Sequence, residues 1–190
     1  LFDIIKKRAP ISNVPGERTS PYQIDLSIPE PLCRNKFKKE YLSDSLDEDD
    51  KEKLLNLINN SDFGFPNPPK IGKKNIQMAG CVRWAGASVD TEKNVLYVSV
   101  DQFPYISTII ENKNFKGKYT HKWEYFVDKK NNPGIKPPWG AIVALDLNLG
   151  KIKWKVPFGN FDELKNIYNN DTGTTNRSGV TASRGNLIFA

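Results

Sequence analysis

Few residues of this chain have the type and spacing to carry chemistry. His121 is the only histidine, so neither a histidine metal cluster nor a Ser-His pair backed by a second histidine can be assembled from this sequence. It reads as a surface histidine in a polar loop. The run Asp47-Glu48-Asp49-Asp50 lacks the alternating ligand spacing and the glycine of a calcium loop, and carboxylates are expected where a helix begins. Cys33 and Cys81 have no metal-type spacing and fit either a disulfide or two buried thiols. Asn59-Asn60-Ser61 matches an N-glycosylation acceptor in form only. On this reading none of these groups is a catalytic residue or a metal ligand.

The elements that must position any site change character along the chain. Residues 1–35 carry Pro10, Pro15, Pro21, Pro29 and Pro31, and such spacing predicts an extended, irregular segment in which strand ladders are interrupted. Ser45-Leu46-Asp47-Glu48 fits a capping box, and Leu54, Leu55, Leu57 and Ile58 follow, which predicts a short amphipathic helix near 46–59. Beyond a second Pro-rich stretch, Phe65-Pro66-Asn67-Pro68-Pro69, the pattern becomes β-type. Gly86–Asp90 and Val95–Val100 flank a polar turn, and Gly140–Leu147 and Lys151–Val156 flank Asn148-Leu149-Gly150. A polar stretch reaching Pro138 separates these two hairpins. Gly179–Ser183 and Asn186–Ala190 then repeat the first hairpin in outline.

A hairpin repeated on either side of another is the signature of antiparallel four-stranded units arranged radially. The expected fold is therefore all-β, a partial β-propeller with a short helix in an insertion. Residues 1–80 would be mostly that insertion and the end of an earlier blade, 84–157 one blade, and 178–190 the start of the next. The chain opens on Leu1-Phe2-Asp3-Ile4-Ile5 and stops on Leu187-Ile188-Phe189-Ala190 without polar tails, which reads as a piece of a longer protein. Its net charge of +6, from 28 basic and 22 acidic residues, is scattered through Asn-rich stretches, and a nucleic-acid partner is not expected. No window has the apolar length of a membrane span.

Ala144-Leu145-Asp146-Leu147-Asn148-Leu149-Gly150-Lys151-Ile152-Lys153-Trp154 resembles the repeat of quinoprotein propellers, Ala-x-Asp-x-x-Thr-Gly-x-x-x-Trp, with Leu149 in place of Thr. Gly permits the positive φ of the turn and the Trp supplies area where two sheets meet. Arg8–Pro21, containing Val14-Pro15-Gly16-Glu17-Arg18-Thr19-Ser20-Pro21, is similar to a Pro-rich segment of the pyrroloquinoline-quinone (PQQ)-dependent dehydrogenases, glucose-dehydrogenase-like branch. Phe65–Pro69, Trp84–Asp90, Ile135-Lys136-Pro137-Pro138-Trp139-Gly140 and Thr172-Gly173-Thr174-Thr175-Asn176 match further family segments in the family's order.

The resemblance implies a propeller of about eight blades holding PQQ and Ca²⁺ near its axis. It implies oxidation of a sugar or other alcohol in the bacterial periplasm, with electrons passed to a membrane quinone or a cytochrome. The family's catalytic Asp, and the basic residue that contacts the quinone, align upstream of Leu1, so no acid of this chain inherits that role. The family places a cofactor-facing Asn after the strand that here reads Leu96-Tyr97-Val98, and this chain has Ser99 there. Trp139, where Pro137 and Pro138 fix the approach to a strand, is the other candidate for lining the cofactor, offering an apolar wall and one N–H; packing between blades is its competing role. Trp84 and Trp154 are expected to pack. The rival from another class is a non-catalytic propeller that binds protein partners. The Pro-Gly-Glu-x-Thr-Ser-Pro and Pro-Pro-Trp-Gly segments favour the enzyme, and Ser99 favours the rival. Neither membrane attachment nor the electron acceptor is encoded in these residues.

Overall fold

A computed structural model describes residues 3–18, 20–64, 67–79, 81–114, 116–169 and 171–190. Leu1 and Phe2, Thr19 of the Pro-rich motif, and Phe65-Pro66 lie outside the described residues. In chain order the elements are β1 (Asp3–Arg8), β2 (Tyr22–Ile28), α1 (Glu48–Asn59), β3 (Asp62–Phe63), β4 (Asn75–Ala79), β5 (Val82–Asp90), β6 (Val95–Asp101), β7 (Phe103–Glu111), β8 (Tyr119–Tyr125), β9 (Gly140–Asp146), β10 (Lys151–Pro157), α2 (Lys165–Tyr168), β11 (Thr181–Ala182) and β12 (Ile188–Phe189).

β5, β6, β9 and β10 form one antiparallel sheet in the spatial order β10-β9-β6-β5. Both of its tight turns use the same device. Asp90 Oδ1 accepts from the N–H groups of Glu92 and Lys93 at 3.1 and 3.0 Å, and Asp146 Oδ1 accepts from Asn148 and Leu149 at 2.9 and 3.0 Å. The left-handed position is taken by Asn94 (φ 53°) in the first turn and by Gly150 (φ 65°) in the second, residue types that tolerate it. The strand-ending Asp of the repeat is thus a turn residue. Beyond β10, β11 and β12 begin another hairpin, tied to β5 by Ala182 N–H donating to Ser88 Oγ at 3.0 Å.

A second sheet, ordered β3-β4-β7-β8, takes β7 and β8 from what read as the polar stretch before Pro138 and β3 and β4 from residues 62–79. Its β7–β8 hairpin went unpredicted because β8 alternates Thr120, Lys122 and Glu124 with aromatic residues and shows no apolar run. The two sheets share a ribbon. Asn75 faces Ser107, Ala79 faces Phe103 and Val82 faces Val100 with a common offset, so the antiparallel pairing of β4 with β7 and that of β5 with β6 share one register across the two sheets.

Two further expectations change. Residues 1–35 are not irregular throughout: β1 and β2 pair from Asp3–Ile28 to Arg8–Tyr22, and Pro10, Pro15, Pro21, Pro29 and Pro31 all fall outside those strands. The prolines mark the loop and the exit rather than breaking the ladder. The helix α1 is capped by Asp47, whose side chain accepts from Asp50 N–H, and not by Ser45, whose hydroxyl bonds Ser43 Oγ at 2.7 Å. The Asp47 carboxyl also pairs with Lys129, and the Lys129 bond, then the Asp50 N–H, hold it below the usual carboxylate range.

Leu54 and Ile58, one turn apart on α1, are buried with Phe37, Ile76, Ile106, Phe126, Ile135, Trp139 and Leu164 in the larger core. Gly134 lies so close to this core that a Cβ there would stand 2.7 Å from the Phe126 ring. A second cluster joins Val98, Val100, Ala141 and Val143 to Cys33. Cys33 and Cys81 are disulfide-bonded, which decides between the alternatives left by their spacing. His121 is on strand β8, not in a loop, and its ring meets Trp123 edge-on at 5.0 Å.

Candidate functional site

Four groups meet where β6 leaves the first sheet: the end of that strand, the entry to β9, a distortion in β5, and the segment 172–178. The distortion is a register shift between Val82–Val100 and Ala87–Val98, which sets residues 83–86 opposite Ser99 alone. Gly86 takes φ 108°, a conformation that disfavours any side chain. The displaced strand turns Trp84 outward, 88% exposed among the described residues, so the packing expected of it is not made by them. Trp154 is 36% exposed and its ring lies 5.8 Å from that of Tyr97.

The segment Thr172–Ser178 straps this end of the sheet. Trp139 N–H donates to Thr172 O at 2.8 Å, Thr174 N–H to Phe158 O at 2.8 Å, and Phe158 N–H to Gly140 O at 3.1 Å. The crossing is backbone against backbone, since a Cβ on Gly140 would stand 1.8 Å from Thr174 O. Asn176 then docks on β6. Its N–H donates to Asp101 Oδ1 at 3.1 Å, while Ser99 Oγ lies 3.1 Å from Asn176 Oδ1 and 2.9 Å from Ser178 O.

Ser99 is 1% exposed and its single hydroxyl proton is committed to the strap. Trp139 is 0% exposed; its Nε1–H donates to Ile135 O at 2.7 Å, and its ring is met edge-on by Phe161 at 5.0 Å. The structure therefore brings both candidates to the same end of the sheet, Ser99 bonded beneath the strap and Trp139 inside the core. Neither the indole face nor its N–H is presented outward here.

Sequence reasoning missed Gln102, which organises the approach to Trp139. Its Nε2 donates to Pro138 O at 3.0 Å, and its Oε1 accepts from Arg34 N–H at 3.1 Å and from Lys155 Nζ at 3.3 Å. The Arg34 guanidinium adds bonds to Lys136 O and Pro137 O at 2.7 and 2.8 Å. Burial, then the neighbouring Arg34 charge, holds the Lys155 ammonium below its ordinary range. Three residues far apart in sequence make this node, so no local motif could have revealed it.

Beside the strap lies a cavity of about 360 Å³ lined by Phe103, Tyr105, Tyr125, Thr175, Asn176 and Arg177. Among the described residues no group of three or more His, Cys, Asp or Glu side chains is placed to hold a metal ion. Residues 1–190 match the family described as glucose/ethanol/alcohol dehydrogenase, beta-propeller domain, of the PQQ type. The chain belongs to this family. No curated protein and no solved structure matches it significantly. Among the described residues, two four-stranded sheets and two two-stranded ones fit a partial propeller of this PQQ family. Ser99 and Trp139, the two candidates for cofactor contact, are both hydrogen-bonded within the chain.

Proposed function

We propose that the complete protein is a PQQ-dependent dehydrogenase that oxidises a sugar or other alcohol and passes the electrons to a quinone or a cytochrome. The observation that carries this reading is the family match along the whole chain. Bound PQQ would supply the two-electron acceptor, with Ca²⁺ polarising it as a Lewis acid. The part played by this chain is positional. It closes one side of the site with the strap, fixes Asn176 against Asp101 and Ser99, and leaves Thr175 and Arg177 exposed at the mouth. The general base and most of the metal ligands belong to residues outside it. Within residues 84–157 the sheet of β5, β6, β9 and β10 acts as one blade, 178–190 open the next, and 1–80 carry the helix-bearing insertion and the end of an earlier blade. A periplasmic location agrees with the Cys33–Cys81 disulfide, since such bonds persist in oxidising compartments. No helix among the described residues is long and apolar enough to cross a membrane.

A propeller that has become a protein-binding scaffold is the second reading, favoured by the internal satisfaction of Ser99 and Trp139. Adding PQQ and Ca²⁺ to the full-length protein, with a PQQ-binding titration and dye-linked oxidation of a panel of aldoses and alcohols, separates the two. The enzyme should bind PQQ saturably and turn over part of the panel. No binding at micromolar PQQ sinks the enzyme and leaves the scaffold.

A further inference from the structure

We propose that the protein forms a two-fold dimer by joining the β8 edges of two copies in antiparallel register about Trp123, so that Lys122 of each copy faces Glu124 of the other. Such pairing needs neither PQQ nor substrate and stands apart from the dehydrogenase reading.

β8 is the outer strand of its sheet. Among the described residues it pairs with β7 alone, from Tyr105–Tyr125 to Glu111–Tyr119. Two hydrogen bonds fix which of its backbone groups are free. Asn112 N–H donates to Lys118 O at 2.8 Å at the turn of the hairpin, and Gly72 N–H donates to Ile109 O at 2.8 Å from the far side of β7. An antiparallel ladder alternates bonded and non-bonded pairs, so Thr120, Lys122 and Glu124 turn their N–H and C=O groups toward β7, and Tyr119, His121, Trp123 and Tyr125 turn theirs outward. The usual protections of an exposed edge are missing. β8 contains no proline, its pairing with β7 shows no bulge, and Trp123 and Tyr125 on it are 50% and 66% exposed. The β7–β8 hairpin is inserted between β6 and β9, so stacking of blade on blade does not by itself cover this edge.

Charge decides the register. Centring two β8 strands on Lys122 sets two ammonium groups opposite each other, and centring on Glu124 does the same with two carboxylates, both unfavourable. Centring on His121 leaves Lys122 opposite Thr120, and Lys118, which would face Glu124, lies outside the strand at φ 62°. Centring on Trp123 sets Lys122 opposite Glu124 twice and His121 opposite Tyr125 twice. In that register the outward residues His121, Trp123 and Tyr125 exchange the backbone bonds, while Lys122 and Glu124 form the non-hydrogen-bonded pairs, where side chains approach most closely. Within one chain Lys122 is 3.6 Å and Lys74 3.4 Å from Glu124, and the Lys122 side chain is 61% exposed; surface pairs of this kind exchange partners at little cost. The aromatic face is already ordered, since Trp123 meets Tyr105 edge-on at 5.8 Å and Tyr105 stands 5.4 Å from Tyr125, so little side-chain freedom is lost on association. A seven-residue edge is a small contact beside the roughly 800 Å² per partner of a standard interface, and micromolar dimerisation is expected.

The test is the oligomeric state of the full-length protein without PQQ, followed by sedimentation velocity from about 1 to 200 µM. The unsubstituted protein should show a monomer–dimer equilibrium. Lys122→Glu and Glu124→Lys should each weaken it about 10-fold by setting like charges opposite at both pairs, and the two substitutions together should restore it. Both side chains reach solvent, so thermal unfolding of the monomers should change little. Hydrogen exchange resolved to single amides reads the same edge without substitution: the N–H groups of His121, Trp123 and Tyr125 should slow only at dimer concentrations, while those of Lys122 and Glu124 are protected throughout. A monomer across the whole range overturns the proposal. So does a dimer that the charge reversals leave intact, that the double substitution fails to restore, or that leaves the His121, Trp123 and Tyr125 amides unprotected.

Discussion

At the scale of single residues, the contrast between Trp139 and Ser99 shows what a sequence can and cannot convey. Trp139, expected at the mouth of a strand, stands directly before β9, whereas Ser99, expected straight after a strand, lies within β6. What stayed hidden is that the Trp139 N–H is already consumed by Ile135 O and the Ser99 hydroxyl by the strap. Satisfaction of a polar group depends on partners brought together by folding, and spacing alone does not record it. A core role for Trp139 has a measurable consequence. Trp139→Phe should keep most of the packing, leave Ile135 O without its donor, and cost about 1–3 kcal/mol in denaturant unfolding of the full-length protein. PQQ affinity should change little. Loss of PQQ affinity at unchanged stability would instead place the indole against the cofactor. Gly140 tests the strap in the same way: Gly140→Ala puts a methyl group onto Thr174 O, and overpacking of about 1–3 kcal/mol is expected, with greater proteolysis within 172–178.

At the scale of elements, hairpins with an apolar alternation and an Asp- or Gly-bearing turn were legible, whereas ladders built across polar strands were not. β5–β6 and β9–β10 announced themselves, while β7–β8 was concealed by Thr120, Lys122 and Glu124 of β8, and β1–β2 by the prolines that bracket it. The common register running from β4–β7 into β5–β6 could not be read at all, because it depends on which of several strands pair. The legible turns carry a pH signature. Asp146 is held below the usual carboxylate range first by the Leu149 N–H, then by Asn148 and Lys153, and Asp90 first by the Lys93 N–H. A depressed carboxyl contributes stability that is present above its unfolded value and lost as pH falls through the folded one. Asp146→Asn should therefore lower the unfolding midpoint at about pH 7, and the difference from the unsubstituted protein should shrink toward about pH 2, where both side chains are neutral. An offset independent of pH would mean that the carboxylate charge plays no part in the turn.

At the scale of the whole molecule, propeller membership was readable because its repeat and flanking segments are local in sequence, yet stability depends on long-range ties that are not. The Cys33–Cys81 bond links residues 48 apart and joins the Pro-rich arm to the ribbon at the start of β5; in the chain-entropy account a loop of that length stabilises by about 4 kcal/mol. Replacing both cysteines with serine should lower the unfolding free energy by a comparable amount and free the arm to proteolysis before the sheet. The opposite problem is the surface left open. Among the described residues β5 pairs only with β6 and β10 only with β9, and Trp84, Trp123, Leu187 and Phe189 are half or more exposed. Unpaired edges beside exposed aromatic rings are templates for association, and radial repetition in a complete propeller is what covers them. The isolated 190 residues should therefore self-associate as protein concentration rises, measured by light scattering, and Trp84→Lys should reduce that association because a charge on the β5 edge opposes pairing. A monodisperse monomer across the same range would mean that the strap and the Pro-rich arm protect these edges without further blades.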